Sequence, residues 1–379
     1  MFSFTILKRV VALICLPFAL LLGVLGMQSG AGSSYRGYKN VILMIGDGMG
    51  PNHLEAAKQA LGIELAMETM PVRGESETST WIPFVVTDSA AGASALACGI
   101  RNISGQISTY PLDPQGWFGV PKSLSEQALA SGKSAGVVTT DSTSGATPAC
   151  FSAHAASRDD EAVISQGQLA SGLQLIWGAP SASVTKAAAE AQGFALVTDR
   201  AGWDALAPGQ RSFAQFNGGD LSETTHMERT PTLEEMTLRA IEILSADTDG
   251  FFLMVEGAHI DKYSHSNDMA NALRCVAEFD LAIAAALKWA GARNNTLVIV
   301  TADHETGGIQ YDAAAGEYRY TSDGHRGVNV PLFVSAADAG FADGQAVKNR
   351  QIGAQAALVM GFAFDNRPFF ALPERKEAA

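Results

Sequence analysis

Cysteine is scarce in this chain: four in 379 residues, one of them, Cys15, inside an apolar N-terminal run. Beyond that run only Cys98, Cys150 and Cys275 are left, an odd number, so at least one thiol is unpaired unless it bridges two chains. A disulfide framework is thereby excluded as the main source of stability, and a domain of this size does not need one. Cys98 and Cys150 stand among small and apolar residues, where a buried free thiol is the expectation. Basic residues are also in short supply, 26 Lys and Arg against 39 Asp and Glu, for a net charge of −13. That balance argues against sequence-independent binding to nucleic acid, and it leaves carboxylates to spare for cations.

Long apolar runs are missing too, except for one. Val10–Leu25 is 16 residues without a charge, preceded by Lys8 and Arg9 and followed by GMQSGAGSS. This is the order of a secretory signal, with Ser29 and Ala31 at suitable small-residue positions. A membrane span usually needs roughly 17–25 residues, so the run is short for an uncleaved anchor, which is the alternative. The expectation is a signal peptide over residues 1–31 and a mature chain over 32–379 that is periplasmic or secreted, with no stable membrane span. Losing Lys8 and Arg9, with no acidic residue among the first 31, takes the charge from −13 to −15. No lipoprotein-type box surrounds Cys15. No repeat or low-complexity linker interrupts residues 36–366, which predicts one mature domain.

What the sequence has in plenty is apolar residues, 47% of the total, enough for a large packed core. Short, nearly continuous apolar runs at Val41–Ile45, Ala135–Thr139, Gln174–Trp177, Phe251–Val255, Leu297–Thr301 and Val330–Val334 read as strands covered on both faces. Between them, Lys122–Ser131, Thr232–Ser245 and Met269–Trp289 read as helices. The alternation predicts an α/β fold, a mostly parallel central sheet with helices on both faces. In such sheets the site gathers at the carboxyl ends of strands. Val41–Ile45 leads to Asp47, and Phe251–Val255 to Glu256, Asp261, Lys262 and His265. Leu297–Thr301 leads to Asp303 and His304, and a further apolar run, Ile82–Thr87, to Asp88 and Ser89.

Each of these signals is weak alone. Asp261 and His265, four apart, share one helix face and could reach a single ion, but surface pairs have the same spacing. His304 could be a core histidine, and His325 stands alone in a Gly-rich turn. Together, three His with several carboxylates suit zinc, and carboxylate plus hydroxyl suits magnesium. Ser89 opens a small-residue segment after Asp88. It could be an ordinary helix cap, or a nucleophile at a helix N-terminus where backbone N–H groups attract anions.

In combination these segments resemble the alkaline phosphatase family. Thr87–Ala93 (TDSAAGA) looks like its nucleophile segment, and Gly46–Gly50 (GDGMG) is similar to its first metal segment. Met254–Lys262 with His265, Thr301–Gly308, His325, and Ala146–Ala149 followed by His154 and Arg158 match further segments in family order over residues 40–335. The resemblance implies a three-layer sandwich that hydrolyses phosphate monoesters through a phosphoserine at Ser89. It implies one zinc at Asp261, His265 and His325, and a second at Asp47, Asp303 and His304. Magnesium would take Asp47, Thr147 and Glu256. Arg158 would clamp phosphate, steadied by Asp88, with Lys262 nearby. Family members are commonly dimers, which leaves a homodimer open.

One position departs from the pattern. The family usually carries Asp or His two residues before the magnesium-binding threonine, and here Gly145 stands there. Magnesium is therefore the least certain of the three ions, and Lys262 is expected to be freer to approach phosphate. Phosphodiesterase is the nearest alternative, but Ser89, Arg158 and Glu256 favour the monoesterase. A non-catalytic phosphate-binding protein would lack a nucleophile. Only 20 residues separate His304 from His325, which predicts an open site of broad monoester specificity. His53 and His226 read as surface or structural, His259 as a polar neighbour of the site, and Trp177 and Trp203 as packing residues.

Overall fold

The sequence NVILMIG forms β1 (Asn40–Gly46), buried at every residue. The computed structural model describes residues 37–216, 230–364 and 366, so the expected signal segment, His226 and most of the C-terminal tail lie outside the described residues. The other strands are β2 (Val72–Glu77), β3 (Ser134–Ser142), β4 (Leu175–Ala179), β5 (Ala195–Val197), β6 (Ser212–Gln215) and β7 (Phe251–Gly257). After them come β8 (Thr296–Thr301), β9 (Glu305–Thr306), β10 (Gln310–Asp312), β11 (Glu317–Arg319), β12 (His325–Arg326), β13 (Val330–Val334) and β14 (Ala346–Lys348).

Ten of these strands make one sheet in the order β14-β2-β13-β8-β1-β7-β3-β4-β6-β5. Within it only β13 runs against its neighbours. Side chains of β1 alternate between two cores, as a strand's two-residue period requires. Val41, Leu43 and Ile45 pack with residues of helices Ser89–Cys98, Ala146–Ser152 and Asn349–Val359. Ile42 and Met44 pack on the other face with residues of helices Pro51–Leu61, Leu233–Leu244 and Met269–Gly291. Helices on both faces of a mostly parallel sheet give the expected α/β sandwich. The helices expected at 122–131, 232–245 and 269–289 form at Leu124–Ala130, Leu233–Leu244 and Met269–Gly291. Among the described residues no helix is long and apolar enough to cross a membrane.

One expected strand does not form. Ile82–Thr87 is irregular, and Trp81, Ile82, Phe84, Val85 and Val86 are exposed. Pro83 interrupts the run, and Phe84 takes a positive φ of 66°, so no strand ladder can pass through it. Ser89 therefore follows a loop, not a strand. The order β8-β1-β7-β3 nevertheless sets four carboxyl ends side by side. In that register Ile45 lies opposite both Glu256 and Thr301, and Thr139 lies opposite Glu256.

Candidate metal centre

Asp47, one residue past β1, is 7% exposed, and Asp303 and His304, just past β8, are fully buried. Asp261 and His265 lie on the helix His259–His265, with Asp261 Oδ1 3.4 Å from His265 Nε2 and 3.7 Å from His325 Nε2. Asp47, Asp261 and His304 form a second convergent group, so Asp261 stands between the two. His304 Nε2 is 3.5 Å from Asp47 Oδ1 and 3.3 Å from Asp303 Oδ2. Gly48, at φ 71°, lets the chain after Asp47 pass close by, since a Cβ there would come within 2.9 Å of Asp261.

Hydrogen bonds on the far side of each ring fix where the protons are. His265 Nδ1 lies 2.6 Å from Asp323 O and His325 Nδ1 3.0 Å from Thr87 O. A carbonyl only accepts, so both Nδ1 atoms carry hydrogen and both Nε2 atoms present lone pairs. Those two lone pairs face each other across 3.1 Å, a repulsive arrangement that a cation would resolve. His304 is set in the same way through Thr306. The Thr306 hydroxyl donates to Asp261 Oδ1 at 2.5 Å, so it accepts from His304 Nδ1 at 3.2 Å. Its Nε2 lone pair then points to the carboxylates and to Ser89.

The carboxylates behave as a crowded anionic site should. Burial first, then Asp303, Asp261 and Glu256, hold Asp47 well above the usual carboxylate range. Burial and then Asp261 push Asp303 up to about 7. Asp303 Oδ1 accepts from the Gly48 and His304 amides, while Asp303 Oδ2 and Asp47 Oδ1 have no hydrogen-bond partner. Burial, with His325 and His265 beside it, keeps His304 neutral. Nitrogen and carboxylate donors with free lone pairs, aimed at common points, fit zinc.

Ser89 begins the helix Ser89–Cys98, and the cap is Asp88, whose Oδ1 accepts from the Ala91 amide at 3.0 Å. The serine hydroxyl is thus not used for capping and lies 3.2 Å from His304 Nε2. Asp88 Oδ2 receives Arg158 Nη1 at 3.3 Å and the Gly105 amide at 2.9 Å. Arg158 is held beside the site with its guanidinium partly open to solvent.

Deeper along the sheet, Glu256 at the end of β7 accepts from the Thr139 hydroxyl and lies against Thr147. Burial and then Asp141 push its carboxyl up to about 8. Lys262 is not free, contrary to the expectation drawn from Gly145. Its ammonium pairs with Asp141 Oδ1, and although burial lowers its pKa, Asp141, Glu256 and Asp47 together raise it above the ordinary lysine value.

Likeness to known proteins agrees with this arrangement. The family model described as alkaline phosphatase matches residues 38–174 and 165–330. The chain belongs to the alkaline phosphatase family. Alkaline phosphatase 4 of Bacillus subtilis is 34% identical over 299 residues, covering 73% of this chain but only 63% of that relative. The alkaline phosphatase of Escherichia coli is 30% identical over 333 residues, 70% of each chain. The solved alkaline phosphatase of the Antarctic bacterium TAB5 superposes with a TM-score of 0.75 at 28% identity, covering 86% of this chain and 99% of that one.

Two features of this family member were invisible from spacing. Thr306 orients His304 and Asp261 together, although only two residues separate it from His304. Asp141 lies outside every short motif named in the sequence, and no spacing pointed to it. The remaining described histidines are structural. His53 is fully buried rather than on the surface, accepting from the Gly50 amide at 3.1 Å and bonded to Ser264 Oγ at 2.9 Å. His154 bridges Ser108 O and Glu126, and His259 meets Thr140 Oγ1 at 3.2 Å. Trp177 and Trp203 are buried against each other, edge to face. Among the described residues Cys98, Cys150 and Cys275 are buried and none is in a disulfide.

Proposed function

We propose that this chain hydrolyses phosphate monoesters, with Ser89 as nucleophile, releasing an alcohol and inorganic phosphate. The observation that carries the reading is the Ser89 hydroxyl, 3.2 Å from Nε2 of His304, itself a member of the convergent group Asp47, Asp261 and His304. One zinc would be held by Asp261, His265 and His325, the other by Asp47, Asp303 and His304, and magnesium by Asp47, Thr147 and Glu256. Bound there, the cations would lower the pKa of the serine hydroxyl and of water and neutralise charge on the phosphoryl group.

The protein's own groups do the rest. Ser89 Oγ is presented at a helix start, where the amide dipoles favour an incoming dianion. Its attack on phosphorus forms the Ser–O–P bond as the P–O bond to the alcohol breaks. Water then cleaves the phosphoserine and restores the hydroxyl. Arg158 would offer two parallel N–H donors to phosphoryl oxygens, and Asp88, the residue before Ser89, holds its guanidinium through Nη1. Export through residues 1–31 belongs to the same proposal.

Ser89→Ala tests it. The purified variant should keep the parent's zinc content and lose roughly a thousandfold in turnover of an aryl phosphate monoester, the scale on which a lost nucleophile is felt. Hydrolysis at the parent rate, or faster cleavage of the matching diester than of the monoester, overturns the reading.

A further inference from the structure

Gly145 offers no side chain toward Thr147, yet its space is taken. A Cβ built on Gly145 would fall 2.5 Å from Asp141 Oδ2 and 3.0 Å from Asp141 Cγ. The carboxylate of Asp141 lies where a side chain at 145 would begin. We propose that Asp141 supplies, from four residues upstream, the carboxylate missing at 145, positioning Lys262 and completing the oxygen shell of a third, hard cation beside Glu256 and Thr147. This inference rests on the phosphomonoesterase reading above.

The backbone is shaped to deliver it. Along β3, Val138 lies opposite Trp177 but Ser142 opposite Ala179, so four steps on β3 face two on β4. The extra residues bulge out of the ladder, and a bulge re-aims the side chains it carries. Gly178 on β4 accommodates the bulge, since a Cβ there would come 2.7 Å from Asp141 O. The Asp141 amide donates to Thr139 Oγ1 at 2.8 Å, and that hydroxyl in turn donates to Glu256. One relay thus fixes Asp141 and Glu256 relative to each other.

Asp141 Oδ1 holds the Lys262 ammonium, while Oδ2 is the oxygen turned toward Gly145. The side chain is 25% exposed, which leaves room for water at the carboxylate. Asp47, Glu256 and Asp141 with the Thr147 hydroxyl make an all-oxygen set. Such a set suits magnesium, which keeps several waters, and disfavours zinc, which prefers nitrogen or sulfur.

The experiment is calorimetric titration of magnesium into the zinc-loaded full chain, with zinc content measured in every variant. Asp141→Ala and the isosteric Asp141→Asn should weaken magnesium ten- to hundredfold, the usual effect of losing an outer ligand, and leave two zincs bound. Adding Gly145→Asp to Asp141→Ala should recover most of the affinity, because a carboxylate then starts from the cleared space. Gly145→Asp alone should weaken binding, since its Cβ meets Asp141 Oδ2. At saturating magnesium, Asp141→Ala should also lower the inhibition constant of inorganic phosphate several-fold, as Lys262 is released. Parent magnesium affinity in both single variants, or no recovery in the double variant, overturns the inference. So does a parent that binds zinc and hydrolyses monoesters yet takes up no magnesium, and that outcome leaves the proposed function standing. A parent with neither zinc nor activity overturns the function itself.

Discussion

Replacing Thr306 by Val keeps the shape of a buried side chain and removes one hydroxyl. That hydroxyl donates to Asp261 Oδ1 at 2.5 Å and accepts from His304 Nδ1 at 3.2 Å. Both Thr306 and His304 are 0% exposed, so water does not take its place. With valine at 306 the imidazole proton is better placed on Nε2, where Asp303 Oδ2 at 3.3 Å and Asp47 Oδ1 at 3.5 Å can accept it. Zinc needs that same nitrogen as a lone pair. Binding would then return the proton to a buried Nδ1 without a partner, at about 1–3 kcal/mol. This corresponds to roughly 5- to 150-fold weaker zinc at the site of Asp47, Asp303 and His304. In the metal-free protein the new Nε2–H bond replaces the one from His304 Nδ1, so the loss there is confined to the hydrogen bond that Asp261 Oδ1 accepted. Competition with a chromophoric zinc chelator measures the first effect, and melting with and without zinc separates it from simple destabilisation. Unchanged zinc affinity together with an equal fall in Tm in both forms would show that Thr306 only packs.

Three other outcomes follow from the site. Arg158→Lys keeps the charge but loses the planar fork, so kcat/KM for an aryl phosphate should fall roughly ten- to hundredfold, and no change would mean the guanidinium does not touch phosphate. In the metal-free protein Glu256 at about 8 and Asp303 at about 7 stand far above their ordinary values of 4.5 and 3.8, so the folded state holds extra protons between those limits. Their contribution to stability is therefore full below about pH 4 and is lost as pH rises toward 8, by ~1 kcal/mol per pH unit for each proton. Above the ordinary histidine value of 6.5 the buried neutral His53 and His304 add no opposing slope, and urea titrations in chelator that rise from there toward pH 8 refute it. Stabilisation by added zinc should grow over the same window, because the ion displaces those protons, and a Tm gain that shrinks from pH 5 to 8 would contradict the assignment.

The central strands were legible because they are buried on both faces. Val41–Ile45 or Leu297–Thr301 cannot sit anywhere but mid-sheet, and the polar residues after each run had to surface at the strand ends. Four strands of the large sheet had no such signature. β2 reads VRGESE, half of it charged, and lies toward the sheet's margin; β5, β6 and β14 span only three or four residues each. Near the sheet's margins short length, and in β2, β5 and β14 side chains open to solvent, erase the apolar run. Ile82–Thr87 misled in the opposite sense. It has a strand's composition, but Pro83 and the positive φ of Phe84 leave its apolar side chains in solvent. Composition reports what a segment could bury, and only the chain's path decides whether it does.

The residues that converge at the site were legible by type and position, and their tautomers were not. Nothing in the sequence says that Asp323 O and Thr87 O would hold the Nδ1 protons of His265 and His325, because backbone carbonyls carry no residue identity. Gly145 shows the same limit from the other side. Counting back from Thr147 locates a missing side chain correctly, and from it a weakened site and an unpaired Lys262 follow by subtraction. For Lys262 the subtraction fails because β3 does not hold its register there. With four residues spent against two on β4, Asp141 arrives where residue 145 would have reached, and Lys262 is paired after all. A motif read at fixed spacing assumes a regular backbone. Where a bulge intervenes, a side chain can arrive from a different position in the sequence, and a gap in the pattern is then a reason to look a few residues upstream before concluding that a function is lost.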